Sequence, residues 1–141
     1  MPNEPCPTAA LAGQIVLIIE DDPIMLRTLA EWFQQAGCKV MVARDGAEGL
    51  AQFQAVRPDA VVTDIIMPNR EGVETLMAIK ALDPRVKILA ISGGGRLGSS
   101  ELLSIARGLG ADAVMAKPFR SAEVVNAVAR LFQPVDDRRQ A

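Results

Sequence analysis

The chain contains no histidine and no tyrosine, a single tryptophan and only two cysteines, and aromatic residues make up just 4% of it. Without an imidazole there is no Ser-His-Asp triad, no histidine metal ligand and no histidine phosphotransfer within the chain. Cys6 and Cys38 have no second Cys or His near either of them, so neither a disulfide framework nor a thiolate metal site is expected. Long apolar runs are also missing. The longest, near Ile15 to Ile19, is far too short to span a bilayer. The opening Met1-Pro2-Asn3-Glu4-Pro5-Cys6-Pro7 lacks the basic segment and apolar stretch of a signal peptide. No membrane association is therefore expected, and the cytoplasm is the default compartment. A formal charge of −2 gives no global attraction for nucleic acid, so no direct nucleic-acid contact is expected either.

What the chain does contain fits one ordinary folded domain. Its 141 residues are half apolar and 23% charged, enough to bury a core built mostly from Val, Ile, Leu, Ala and Met. Residues 1–12, rich in Pro, Ala and small polar residues, read as a flexible lead-in. Residues 13–133 form the domain, and 134–141 read as a polar tail, whose Asp136-Asp137-Arg138-Arg139 is a solvated charge cluster.

Within the domain, apolar runs alternate with helical patterns. Strands are predicted over Gln14–Ile19, Lys39–Ala43, the run ending at Asp64, Val86–Ile91 and Asp112–Ala116. The helices are punctuated by capping residues. Asp22-Pro23 starts the first, which places Met25, Leu29, Trp32, Phe33 and Ala36 near one face and ends at Gly37. Asp45-Gly46-Ala47-Glu48 has capping-box spacing, and that helix ends at Arg57-Pro58. A third helix covers about Val73 to Leu82. A fourth starts at Ser99 or Ser100 and reaches Gly108 or Leu109, and a fifth runs from Ser121 to about Phe132. Met25, Met77 and Met115 are read as core filler. Strand-helix alternation with near-continuous apolar strands predicts an α/β fold with a five-stranded parallel sheet, right-handed crossovers and five helices on both faces.

The chemistry follows from where the strands end. Val61-Val62-Thr63-Asp64-Ile65-Ile66-Met67-Pro68 is an apolar run closed by a carboxylate, with a proline that stops the strand. In a parallel sheet all carboxyl ends share one edge, where open α/β sheets bind ligands. The first strand brings Glu20, Asp21 and Asp22 to that edge, the third Asp64, the fourth Ser92 and the fifth Lys117. Carboxylates so gathered repel unless a cation joins them, and a hard divalent ion such as Mg²⁺ suits oxygen ligands. Metal, lysine and hydroxyl together make a receptor for a phosphoryl group, with a carboxylate placed to attack it.

These motifs resemble the receiver (response-regulator) domains of two-component signalling. The resemblance is carried by Val16-Leu17-Ile18-Ile19-Glu20-Asp21-Asp22-Pro23, Asp64-Ile65-Ile66-Met67-Pro68, Ile91-Ser92-Gly93-Gly94, and Gly110-Ala111-Asp112 leading to Lys117-Pro118-Phe119. It implies a flavodoxin-like, doubly wound sheet of order 2-1-3-4-5. It also implies that Asp64 is the phosphoacceptor, served by a sensor histidine kinase or a histidine phosphotransfer protein. Glu20, Asp21, Asp64 and the backbone carbonyl of Ile66 would hold Mg²⁺. Ser92 would be the switch hydroxyl, Lys117 would pair with the phosphoryl charge, and the Lys117-Pro118 bond would be cis. Asp22 is read instead as the cap of the first helix. Such a protein is a signalling protein that assists its own phosphoryl transfer and loss, not an enzyme on another substrate. Its output would pass to a protein target through the face of helix four, strand five and helix five, as no output domain follows Phe132.

Two features depart from the family pattern. An aromatic residue is common three positions before the lysine, and here that position is Val114. The stretch from Ser92 to Lys117 is a few residues long, with the excess in Gly93-Gly94-Gly95-Arg96-Leu97-Gly98, and glycine makes that loop and the start of helix four the segment expected to be least ordered. Gly93, Gly95 and Gly98 match G-x-G-x-x-G, but at the fourth strand instead of the first, so dinucleotide binding is not favoured. A dehalogenase-type phosphatase needs a second Asp where Ile66 stands. The alternative from another class is a constitutive protein-interaction scaffold that keeps the fold without the phosphorylation chemistry.

Overall fold

Asp22 shows how this chain starts a helix. Its backbone is extended and its side chain accepts from the N–H of Ile24 at 3.0 Å, while Pro23 occupies the first helical position. The computed structural model describes residues 10–65, 71–92 and 107–132, the side chain of Glu71 excepted. The glycine loop after Ser92, most of the fourth helix, Ile66, the first nine residues and the tail lie outside the described residues.

The elements run β1 (Ile15–Ile19), α1 (Pro23–Gln35), β2 (Lys39–Ala43), α2 (Gly46–Val56), β3 (Ala60–Asp64), α3 (Glu71–Leu82), β4 (Lys87–Ser92), α4 (described only over 107–109), β5 (Ala113–Ala116) and α5 (Ser121–Leu131). Every strand pairing is parallel and the order is β2-β1-β3-β4-β5, as expected. Expected and observed boundaries agree within about two residues. β4 is shifted by one, so that Ser92 is its last residue.

Helix ends are satisfied by the residues that the punctuation singled out. After α1, Gly37 takes φ +95, and the N–H groups of Gly37 and Cys38 donate to the carbonyls of Gln34 and Phe33, each at 3.0 Å. This paired return closes the helix, and only glycine meets that φ without strain. At α2, Asp45 accepts from the Glu48 N–H at 2.8 Å, and Glu48 reaches back to the Arg44 N–H at 3.2 Å. At α5 the punctuation gave only the start at Ser121, and the cap lies on residues it did not single out: Glu123 accepts from the Arg120 N–H at 2.7 Å.

Strand residues alternate between two cores. Val16, Ile18, Val62, Leu89 and Ile91 face α1 and α5, where Leu26, Leu29, Phe33, Val124 and Val128 are buried. Leu17, Ile19, Val61, Ile88 and Ala90 face the other layer, with Phe53, Leu76 and Ile79. Both sheet faces are thus covered, which is why these strands read as continuous apolar runs. At the amino edge of the sheet, Asp112 accepts from Lys80 Nζ at 2.9 Å and from the Ile88 N–H at 2.8 Å, while Lys80 also donates to the Val86 carbonyl at 2.7 Å. That cluster ties α3 to the starts of β4 and β5.

Two expectations are corrected. Leu11 was placed in a flexible lead-in, yet it is fully buried in the α1–α5 core. Its carbonyl accepts from Gln14 N–H and from the Cys38 thiol, and the Gly13 N–H donates to the Gly37 carbonyl. The chain therefore enters the packed body by residue 10. Met77, read as core, is half exposed on α3, where Leu76 and Ile79 take the buried positions.

Leu11→Ala is expected to lower unfolding stability by about 2–4 kcal/mol, the range for emptying a filled core position. Urea denaturation measures it, and an unchanged midpoint would mean that residues 10–12 contribute no packing.

Candidate functional site

The carboxyl edge of the sheet collects the side chains that the strand ends were expected to deliver. Glu20 directly follows β1 and is held there by its N–H to the Ala43 carbonyl at 3.0 Å. Asp64 is the last residue of β3, in register with Ile91 of β4. Ser92 ends β4, and its carbonyl accepts from the Lys117 N–H at 2.7 Å, which sets the start of the segment after β5. The Lys117-Pro118 peptide is cis, as the resemblance implied.

Lys117 Nζ donates to Glu20 Oε1 at 2.9 Å and to Asp64 Oδ2 at 3.2 Å. Both acids are almost fully buried, at 1% and 5% exposure, whereas Asp21 is exposed. Glu20 also accepts from the Asp22 N–H at 3.1 Å. Burial raises the Glu20 carboxyl above its ordinary 4.5, against the hydrogen bonds and charge of Lys117 and the Asp22 N–H, with the Asp64 charge adding to the rise. For Lys117, burial alone would lower the ammonium, but its hydrogen bond to Glu20 and the charges of both acids outweigh that and raise it above 10.5. The lysine is thus held protonated as the resident countercharge of the pocket.

A cation fits this donor set. Carboxylate oxygens of Glu20, Asp21 and Asp64 all lie within 4.8 Å of one another. They are all hard oxygen donors, and exposed Asp21 keeps one side open for water, as a partly hydrated Mg²⁺ requires. A polar atom also stands ready: Ser92 Oγ is buried with no hydrogen-bond partner among the described residues. A buried hydroxyl left unpaired is costly unless a ligand satisfies it.

Glu20, Asp21, Asp64 and Lys117 are therefore brought into one pocket, with Ser92 on the neighbouring strand end, while the Ile66 carbonyl lies outside the described residues. Asp22 serves α1 as its cap. Val114 is half-buried and packs toward the α2–α3 layer. Sequence reasoning did not anticipate the ring of Phe119, two residues beyond Lys117, meeting Trp32 of α1 edge-on with centroids 6.2 Å apart. Trp32 was placed only on the apolar face of the first helix and Phe119 only at the close of the Lys117-Pro118-Phe119 motif, and no local spacing relates them.

Known proteins are similar to this chain over most of its length. The family described as the response regulator receiver domain matches residues 16–129. The transcriptional regulatory protein PrrA of Mycobacterium leprae is 37% identical over 120 residues, covering 84% of this chain and 49% of that protein. The chemotaxis protein CheY of Thermotoga maritima is 32% identical over 117 residues, covering 82% of this chain and 95% of that protein. The solved structure of Vibrio cholerae CheY4 superposes with a TM-score of 0.77 at 27% identity, covering 85% of this chain and 99% of that one. The chain thus spans about half the length of PrrA and nearly all of CheY.

Lys117→Met strands two buried carboxylates without their countercharge. With metal chelated, a loss of about 3 kcal/mol is expected, at the low end for breaking a buried pair because the lysine is partly exposed. Without the ammonium the Glu20 carboxyl rises further, so the folded state binds a proton more readily than the unfolded one. The deficit against wild type should therefore be greatest at neutrality and narrow as pH falls toward 4.5. Chemical denaturation across that range measures it, and a deficit that widens on acidification would contradict this electrostatic account.

Proposed function

The chain belongs to the response regulator receiver domain family, and from that premise we propose that Asp64 accepts a phosphoryl group from a sensor histidine kinase or a histidine phosphotransfer protein. Proteins of this family are signalling proteins of two-component systems, and they bind Mg²⁺ at an acidic pocket. The observation that carries the assignment is the convergence of the Glu20, Asp21 and Asp64 carboxylates, with Lys117 bonded to Glu20 and Asp64. A scaffold with no phosphoryl chemistry would gain nothing from keeping two carboxylates out of water.

In this reading an Asp64 oxygen forms a bond to phosphorus as the bond from phosphorus to the donor nitrogen breaks. That nitrogen leaves with the electron pair, so the donor imidazole returns to its neutral form after proton exchange. Glu20, Asp21 and Asp64, with the Ile66 carbonyl, would hold Mg²⁺. When bound, the ion neutralises charge building on the phosphoryl oxygens. Lys117 supplies the protein's own positive charge to the same oxygens, and it is in place before the phosphoryl group arrives. Ser92 Oγ, which has no partner among the described residues, gains a phosphoryl oxygen as acceptor, a contact specific to the phosphorylated state.

The same pocket returns the phosphoryl group to water, making the domain a timer for its own signal. Output passes by protein contact through the surface of α4, β5 and α5, and the protein acts in the cytoplasm. Among the described residues no helix is long and apolar enough to cross a membrane. Residues 13–133 are proposed as the receiver unit, with the packed body starting a few residues earlier at Ala10.

Incubation with acetyl phosphate and Mg²⁺ should place one phosphoryl group on the wild type. None should be placed on Asp64→Asn, and Asp21→Asn should need more Mg²⁺ for the same extent. Intact-mass measurement reads the added phosphoryl group. A wild type that stays unmodified at saturating Mg²⁺ would favour the constitutive scaffold.

A further inference from the structure

The segment that begins with Lys117 is fastened to the β1–α1 unit at two points. One is the ion pair of Lys117 with Glu20 at 2.9 Å, immediately after β1. The other is the edge-on contact of Phe119 with Trp32, centroids 6.2 Å apart and rings inclined at 68°. Phe119 and Trp32 are both partly buried and pack against the core on the α1–α5 face. Only Pro118 lies between the charged anchor and the aromatic one.

Position 114 is placed differently. Val114 packs toward the opposite layer, with the α2–α3 core, and it has neither a ring to rotate nor a hydroxyl to donate. The aromatic contact nearest in sequence to the pocket lysine is thus on the α1 side. We propose that Phe119 and Trp32 are positioning residues for Lys117, and that the same contact carries phosphoryl-dependent movement of Lys117 to the outer face of α1. This coupling rests on the phosphoacceptor reading of Asp64.

The physical reason is competition for one ammonium. In the resting pocket Lys117 Nζ is shared between Glu20 and Asp64. A phosphoryl group on Asp64 adds charge and strong acceptor oxygens beside it, and the ammonium turns from Glu20 toward them. The part of that movement that the backbone of residue 117 follows reaches the ring of Phe119, because Pro118 between them has a fixed φ and leaves little rotation to absorb it. Edge-to-face ring pairs depend on offset and tilt, which makes Trp32 sensitive to a small shift. The coupling is reciprocal: whatever alters the Trp32 side of α1 alters how Lys117 is held, and with it the phosphorylation equilibrium.

Trp32 is the only tryptophan, so its emission reports this contact without interference. The full chain is equilibrated with Mg²⁺, acetyl phosphate is added, and emission and phosphoryl incorporation are followed in parallel. The expected result is an emission change with the same time course as incorporation, absent in Asp64→Asn. Phe119→Ala should lose the emission change and incorporate roughly three- to tenfold more slowly, the factor expected from losing one aromatic pair. Phe119→Tyr, which keeps the ring, should restore both. Should Phe119→Ala fold poorly by circular dichroism, Phe119→Leu keeps apolar volume without the ring and is expected to lose the emission change alike. Full incorporation in the wild type with unchanged Trp32 emission overturns the coupling and leaves the phosphoacceptor reading intact. So does a folded Phe119→Ala or Phe119→Leu with the wild-type rate and emission change. No incorporation in the wild type overturns both.

Discussion

Holding two carboxylates out of water at the ends of adjacent strands is the constraint on which this molecule is arranged. Glu20 and Asp64 are nearly inaccessible, and their mutual repulsion in a poorly screened pocket must be met by positive charge. Lys117 supplies such charge from the end of β5, so three strands separated in sequence are joined through one ammonium. The parallel sheet makes this possible, because only parallel strands present all their carboxyl ends on a single edge. The apolar layers on either face hold that edge in register.

Much of the fold was legible in the sequence because its punctuation is chemical. Asp22-Pro23, Asp45 with Glu48, and Gly37 each act through a hydrogen bond or a backbone angle that no other local structure offers as well. Leu11 was not legible. It sits in a Pro- and Ala-rich stretch without periodicity, and its burial is imposed by contacts with Cys38 and the turn at Gly37, which are remote in sequence. Met77 misled for a different reason. α3 carries Val73, Leu76, Met77, Ile79 and Leu82 around more than one face, so composition alone does not say which face turns inward.

The pocket was legible to the same extent and for a related reason. Each functional acid closes an apolar run, and a carboxylate at the end of a buried strand is costly enough to mark itself. The sequence did not disclose how Lys117 is employed before any phosphoryl group arrives. Its pairing with Glu20 depends on the distance between β1 and β5 edge residues across the sheet, which no local pattern encodes. The Trp32–Phe119 contact is hidden in the same way, since a helix-face ring and a ring in the Lys117-Pro118-Phe119 motif meet only through tertiary packing.

At the far rim, Asp112 and Lys80 bind α3, β4 and β5 together through a side-chain ion pair, a backbone N–H and a carbonyl. The sheet is therefore fastened at both margins, by this ion pair at the roots of β4 and β5 and by the Lys117 ammonium at the opposite edge. A pull on the Lys117 ammonium then acts on β5 while the root of that strand is already anchored to α3. β5 is thus a short lever held at its base, and the pocket lysine follows directly on its tip.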